Sequence, residues 1–365
     1  MNPCWSDADR HGEPFFLGGR EIGPGRAPFI IAEIGVNHDG SFERARDLVH
    51  AARDAGADAA KFQMFDAAML MSRDAVLAAY QKESGVRDPR EMLAALALSP
   101  DQLGNLAEEC VKCGVVPIVT VFSLPLFANA REHAWHAFKT ASPDLVNLPL
   151  LRAAASLGKP LIVSTGAATR EEVACAAQWL HDVRQLAFLQ CTSSYPARDD
   201  MAAIGAMHEI RAMTGRIVGY SDHTTSLDTG ALAIAAGGAI LEKHLTYDRS
   251  ATGPDHAASL DPAQFAGYVA LARRAARMIG GFTKELQAIE RDVRMVSRQS
   301  IVATRDLAVG DVITPHDVCV KRPGIGLCAS RLDDVIGRRL ARPVEADRVL
   351  AEADVLWPVA AESEL

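Results

Sequence analysis

The feature that most narrows the fold of this chain is a rhythm running from Phe29 to Gly280. A short β-rich run is followed by a loop of small or polar residues, then by a longer segment with helical periodicity. The β-rich runs occupy 29–34 (FIIAEI), 59–64 (AAKFQM), 116–121 (VPIVTV), 136–141 (HAFKTA), 160–164 (PLIVS), 186–191 (LAFLQC), 216–220 (RIVGY) and 238–243 (GAILEK). Stretches 42–56, 101–113, 170–182, 225–236 and 262–279 set Ala, Leu and Val stripes against Arg, Glu and Asp faces, as amphipathic helices do. Such alternation builds a parallel sheet, because each parallel connection needs a crossover segment. Eight strand and helix pairs in roughly 250 residues match an α/β fold of the closed (β/α)8 TIM-barrel type. A doubly wound open sheet is the competing architecture, but no GxGxxG turn follows the first strand.

The rhythm stops at Gly280 and Gly281. Residues 281–297 are charged and read as a helical linker, and from Arg298 onward short β-like runs are punctuated by Gly310, Pro315, Pro323, Gly324, Gly326 and Gly337. This pattern predicts an N-terminal extension over 1–28, a barrel over 29–280, a linker over 281–297 and a small β-rich domain over 298–365. A core of about 60 residues is only marginally stabilising, so the small domain needs a docking surface. The glycines at 18, 19, 23 and 25 give the extension the look of a loop or loose strand pair.

Composition excludes several classes of function. The net charge of −8 without long Lys/Arg clusters leaves no footprint for nucleic acid or an anionic membrane. The apolar stretch Gly230 to Leu241 falls well short of the roughly 18 to 20 residues that span a bilayer. Asp7, Asp9, Arg10 and Glu13 interrupt the region where a secretory signal would need an apolar run. Cys 7 is an odd count spread thinly, which suits a reducing compartment, and a cytoplasmic location is expected. Cys110 and Cys113 form a CxxC without a second pair and read as packing, and Cys191 has no catalytic histidine at a suitable spacing.

In a barrel, polar residues at the carboxyl ends of strands converge on one site. Here every strand end supplies such a group. Glu33 belongs to the first strand, Lys61 and Gln63 to the second, Thr120 to the third, and Lys139 and Ser142 to the fourth. Ser164 follows the fifth, Thr192 and Ser193 the sixth, Ser221 and His223 the seventh, and Glu242 and His244 close the eighth. Lysines in apolar strands need an anion or carboxylates beside them. Two lysines among hydroxyls resemble a phosphate cradle, although any one of these residues also fits a simple ion pair such as Glu33 with Lys61. His223 and His244 end adjacent strands, about 4.8 Å apart, so both imidazoles reach one divalent ion. A histidine hydrogen-bonded in the core is the plainer alternative, and the spacing leaves Mn, Mg and Zn equally open.

The segments FIIAEIGVNHDGSFERA, GADAAKFQMF, FKTASPDLVNLPLL, LIVSTGAATREEV, CTSSYPA, VGYSDHT, LEKHLTYDRSATGPDHAASL, SIVATRDLAVGDVIT and VKRPGIG, in that order, resemble the sialic acid synthase family. The resemblance covers about residues 29–350, and the C-terminal part resembles the antifreeze-like SAF domain that these synthases carry. It implies a condensation of phosphoenolpyruvate with an N-acylated hexose, N-acetylmannosamine or a diacetamido-hexose, giving a nine-carbon 2-keto-3-deoxy acid and phosphate. It also implies that Lys61, Thr120, Lys139, Ser142, Ser193 and Ser221 hold phosphoenolpyruvate, and that His223 and His244 ligate Mn2+ or Mg2+. On the same resemblance, Glu33 positions or deprotonates the attacking water, and Gln63, Asp144, Tyr195 and Asp255 contact the sugar. Arg322 of the KRPG motif resembles an arginine that reaches a partner subunit's barrel, which implies a domain-swapped homodimer. GPDH at 253–256 favours the neuraminic and legionaminic branch over the pseudaminic one.

The chain departs from the family pattern at Ser84, in place of an asparagine, at Val121, in place of a proline, and at Pro143, in place of a glycine. All three are expected beside the acceptor sugar. Two other readings stay open: a Schiff-base aldolase using Lys139 or Lys61, and a non-catalytic paralogue that binds a sugar or a partner through the small domain.

Overall fold

In the computed structural model, which describes residues 12–72, 88–281 and 283–358, the run Phe29–Gly35 is buried at every position. A strand enclosed by a core on one face and helices on the other has no solvated side, so its sequence shows no polar alternation. Seven more strands share this environment. After β1 (Phe15–Leu17) and β2 (Arg20–Ile22) come β3 (Phe29–Gly35), β4 (Ala59–Met64), β5 (Val116–Val121), β6 (Ala137–Thr140), β7 (Leu161–Ser164), β8 (Leu186–Cys191), β9 (Ile217–Asp222) and β10 (Ile240–His244). Strands β3 to β10 pair in parallel and close in the order β10-β3-β4-β5-β6-β7-β8-β9, so the fold is the expected TIM-type barrel.

Helix ends are set by local chemistry. Ser99 and Gln102 form a capping box at the start of Pro100–Cys113, which Gly114 ends with a left-handed φ of 73°. Asp261 and Gln264 do the same for Pro262–Ile279. The stretch expected helical over 225–236 is helical only over Thr229–Ala235. Strand β9 meanwhile runs on to Asp222, because Ser221 and Asp222 still pair with Glu242 and Lys243.

The period of two divides the barrel interior into storeys. Ile31, Ala59, Ile118, Ala137, Ile162 and Ile240 belong to one apolar cluster inside the barrel. Two residues further along the same strands stand Glu33, Lys61, Thr120, Lys139, Ser164 and Glu242, all buried. The described part of the 1–28 extension is not loose. Strands β1 and β2 pair as an antiparallel hairpin, and Phe15, Leu17 and Ile22 join the apolar cluster as a plug at its amino-terminal end. Asp58 fastens this end by accepting from Ile30 N at 2.8 Å and Arg273 Nη2 at 3.1 Å, and from Arg20.

The described residues divide into two compact units after Gly281. In the second, the linker is helical only over Arg291–Ser297, preceded by a 3-10 turn at Ala288–Glu290. Strands β11 (Ser300–Ala303) and β12 (Val318–Lys321) pair antiparallel around Ile301, Leu307, Ile313, Leu340 and Leu350. No helix among the described residues is long and apolar enough to cross a membrane.

The plug makes residues before the barrel part of its core. Leu17→Ala, at a fully buried position, should lower the unfolding free energy of the barrel by about 3 kcal/mol in urea titrations. Phe16→Ala, on the exposed face of the same hairpin, should change it by less than about 0.5 kcal/mol. Equal effects would show that the hairpin does not plug the barrel.

Candidate active site

A cavity of about 480 Å3 opens at the carboxyl ends of the barrel strands. Glu33, Lys61, Gln63, Thr120, Lys139, Ser142, Asp144, Ser193, Tyr195, Ser221, His223, His244 and Asp255 all line it, together with Ser164 and Glu242. A larger hollow of about 630 Å3 beside helices Ala67–Leu70 and Pro89–Leu96 is lined mostly by apolar residues, with Asp66, Arg90 and Glu91 among them, and has no lysine or histidine. The chemistry therefore belongs to the smaller space.

Its floor is a buried charge cluster. Lys61 Nζ lies 2.6 Å from Glu33 Oε2, 3.8 Å from Glu242 Oε2 and 3.2 Å from Thr120 Oγ1. Lys139 Nζ lies 3.2 Å from Glu242 Oε1, which also accepts from Ser221 Oγ at 3.0 Å. Register explains the meeting, because Glu33 pairs with Lys61, Thr120 with Lys139, and Ser221 with Glu242 on neighbouring strands. Burial alone would lift Glu242, but Lys139 and Lys61 flank it and hold its carboxyl below the ordinary value. Burial would likewise depress Lys61, yet Glu242 and Glu33 keep it above its ordinary value. Glu33 goes the other way: burial, reinforced by the charge of Glu242, outweighs Lys61 and raises it. Gln63 Nε2 donates to Glu33 Oε1 at 2.7 Å and fixes its orientation.

Beside the lysines the wall is hydroxyl-rich and hollow. Ser142 Oγ accepts from Gly166 N at 3.0 Å and lies 3.0 Å from Cys191 Sγ. A Cβ on Gly166 would collide with Ser193 Oγ, Cys191 Sγ and Ser142 Oγ, so glycine lets these three side chains pack against the turn. Ser164 Oγ and Asp144 Oδ2 are buried there without hydrogen-bond partners among the described residues. Unmet polar atoms of this kind call for a bound polar group. Cationic side chains and hydroxyls suit the oxygens of a phosphate.

The imidazoles form the other wall. The ring centroids of His223 and His244 are 5.5 Å apart, and Tyr195 stacks on His223 at 4.1 Å. His223 Nδ1–H donates to the Thr192 carbonyl at 2.8 Å, which leaves its Nε2 unprotonated. Burial pushes His223 down to about 4 and His244 well below its ordinary value, so both rings stay neutral. His244 Nδ1 is buried without a hydrogen bond, 3.6 Å from Asp255 Oδ2. Two neutral imidazoles beside a carboxylate fit a divalent ion. Burial, then the charge of Glu33, raises Asp255 to about 7, and burial raises Asp144 to about 6.

Several expectations need correction. Val121 does not face the cavity: it follows inward Thr120, so the period of two turns it into the core between strands and helices. Thr192 lies outside the cavity lining, its hydroxyl donating to Met201 O at 2.7 Å. Pro143 does line the cavity, whereas Ser84 lies outside the described residues. Arg322 is exposed just beyond β12, in the second unit. Cys110 is core as expected, and Cys113 sits on the outer helices 3.6 Å from His50 Nδ1. Glu242 belongs to the strand-end set expected from the sequence, and the structure adds its place between Lys61 and Lys139. The close packing of Ser142, Cys191 and Ser193 around Gly166 has no signal in the sequence.

A family model described as the NeuB family matches residues 48–284, and one described as the SAF domain matches residues 298–356. The chain is 36% identical over 330 residues to N,N'-diacetyllegionaminic acid synthase of Legionella pneumophila, covering 88% of this chain and 93% of that one. It is 30% identical to N-acetylneuraminate-9-phosphate synthase of Mus musculus, covering 92% and 95%. The crystal structure of N-acetylneuraminic acid synthetase from Leptospira borgpetersenii in complex with citrate superposes with a TM-score of 0.72 at 29% identity, covering 78% of this chain and 96% of that one. The NeuB match takes in the strands that carry Lys61, Lys139, Glu242 and the imidazole pair, and the chain belongs to the NeuB family, with a SAF domain following its barrel.

Proposed function

We propose that this chain condenses phosphoenolpyruvate with an N-acylated hexose, N-acetylmannosamine or a diacetamido-hexose, and releases a nine-carbon 2-keto-3-deoxy acid and phosphate. The observation that carries the reading is that buried Lys61 and Lys139 line one cavity together with the hydroxyl-bearing Ser142, Ser164 and Ser193. Relatives named for making legionaminic and neuraminic acids support an acidic amino-sugar product.

On this reading the two ammonium groups, with Thr120 and Ser221, bind the phosphate and carboxylate of the enol ester. The methylene carbon of the enol ester attacks the aldehyde carbon and forms one C–C bond, and the aldehyde oxygen takes a proton. Water adds to the neighbouring carbon, the one that bears the phosphate oxygen, and gives up its protons as that C–O bond breaks, which releases phosphate and leaves a ketone. A bound Mn2+ or Mg2+ ion supplies Lewis acidity for the aldehyde. His223, His244 and the adjacent Asp255 would hold that ion, and burial keeps the imidazoles in the neutral form that ligation needs. Glu33, oriented by Gln63 and raised by burial, takes the proton of the incoming water. Gln63, Asp144, Tyr195 and Asp255 face the acceptor, and Pro143 removes an amide donor beside Asp144. We assign Arg322 to the site of a second copy in a homodimer. Lys61, held charged by two carboxylates, is a poor amine nucleophile, which disfavours a Schiff base.

Phosphate release from phosphoenolpyruvate with either acceptor should vanish with EDTA and return with Mn2+; full activity after complete metal removal would reject the reading. Lys139→Met should lower kcat/KM for phosphoenolpyruvate by about 100-fold, the loss of one buried charge-assisted contact, while the KM for the acceptor stays put. An unchanged kcat/KM would remove Lys139 from the enol ester site. His223 also makes a pH prediction for the metal-free protein. Its value falls from 6.5 to about 4 on folding, so the unfolded chain binds the extra proton, and stability present above pH 6.5 is lost as pH falls toward 4. Relative to His223→Gln, the wild type should lose about 3 kcal/mol across that window in urea unfolding. Parallel curves would show that the imidazole is not held neutral.

A further inference from the structure

Behind the two imidazoles, on the helix side of the barrel wall, lies a charged residue with no part in the chemistry above. Lys243 stands between Glu242 and His244 in β10, is fully buried, and is absent from the cavity lining to which both neighbours belong. Its ammonium lies 3.1 Å from Asp222 Oδ2, donates to the Thr224 carbonyl, and sits 5.6 Å from the centre of the Tyr268 ring. Asp222 and Thr224 are the residues on either side of His223. Asp222 Oδ1 closes that turn by accepting from Thr224 N at 2.9 Å and from Thr224 Oγ1 at 2.8 Å. Thr224 Oγ1 also meets Thr229 Oγ1 at 2.9 Å at the start of the next helix.

Space has been made for this arrangement. A Cβ on Gly230 would collide with the Tyr268 ring, so glycine there lets the aromatic ring lie beside the lysine. Apolar side chains in place of both Lys243 and Asp222 would avoid the cost of burying two charges, and such replacements of a buried pair are often neutral or stabilising. What an apolar side chain lacks is direction. The ammonium fixes a carboxylate and a carbonyl at defined angles, and those groups belong to the segment that carries one imidazole, while the lysine belongs to the strand that carries the other.

We propose that Lys243 is a positioning residue that clamps the Asp222–Thr224 turn to β10 and so sets the spacing between His223 and His244. The proposal rests on reading those histidines as the metal pair. Outer partners that orient metal ligands affect affinity by about 10- to 100-fold when removed.

The test is Mn2+ affinity, read from the electron paramagnetic resonance signal of the free ion titrated with full-length protein, well below the melting temperature. Lys243→Met should weaken binding about 10- to 100-fold. Should that variant fail to fold, Asp222→Asn combined with Lys243→Met removes both charges, leaves the Thr224 cap an acceptor, and should show the same loss. Asp58→Ala, which loosens the opposite end of the barrel, serves as the control for general destabilisation and should bind Mn2+ like the wild type. Wild-type affinity in either folded lysine variant would overturn the clamp, as would an equal loss in Asp58→Ala. If the wild type binds no more tightly than His244→Ala, the metal reading falls, and the clamp falls with it.

Discussion

Four ionisable side chains, Glu33, Lys61, Lys139 and Glu242, are buried together inside a closed barrel, and the rest of the site follows from how they are balanced. An ammonium or carboxylate removed from water costs several kcal/mol unless a partner of opposite sign stands close by. Here the charges alternate along the chain of contacts Lys139–Glu242–Lys61–Glu33, with Glu242 between the lysines and Lys61 between the glutamates. The balance is not complete at the open side. Ser164 Oγ, Asp144 Oδ2 and His244 Nδ1 are buried without hydrogen bonds among the described residues. A preorganised site with unmet polar atoms is already shaped for a charged guest, so little reorganisation is needed when it binds.

The apolar lower storey makes this arrangement tolerable. Ile31, Ile118, Ile162 and Ile240 exclude water from below, and the hairpin carrying Phe15, Leu17 and Ile22 seals the end. Each strand thus changes character once along its length, apolar toward the plug and polar toward the mouth. This division is why the parallel strands can hold lysines at all: the cost of burial is concentrated on one layer, where every charged member has a partner of opposite sign.

Much of this was legible in the sequence. The βα rhythm specified the barrel, and the strands at 59–64, 116–121 and 186–191 have the expected bounds, since uninterrupted apolar runs with one or two polar residues leave little freedom. Strand-end residues converge on the cavity because closure of the sheet forces neighbouring ends together. The misplacements have physical causes. Val121 was assigned to the sugar by analogy of position, although its neighbour Thr120 faces inward and alternation turns it outward. The plug was missed because a three-residue strand is too short to show periodicity. The clamp at Lys243 is invisible in sequence, because a lysine beside a histidine says nothing of Asp222 or Thr224 until the strands are set in register.

The central claim is that the buried lysine pair and the serine hydroxyls lining the same cavity form one receptor for an enol phosphate. A crystal structure of the protein soaked with phosphoenolpyruvate and Mn2+ tests this most directly. The account predicts phosphate density within hydrogen-bonding reach of Ser142 and Ser193, with the carboxylate between Lys61 and Lys139. Density at the larger hollow beside Arg90, or phosphate bound only outside the barrel mouth with the lysines still paired to Glu33 and Glu242 alone, would contradict it.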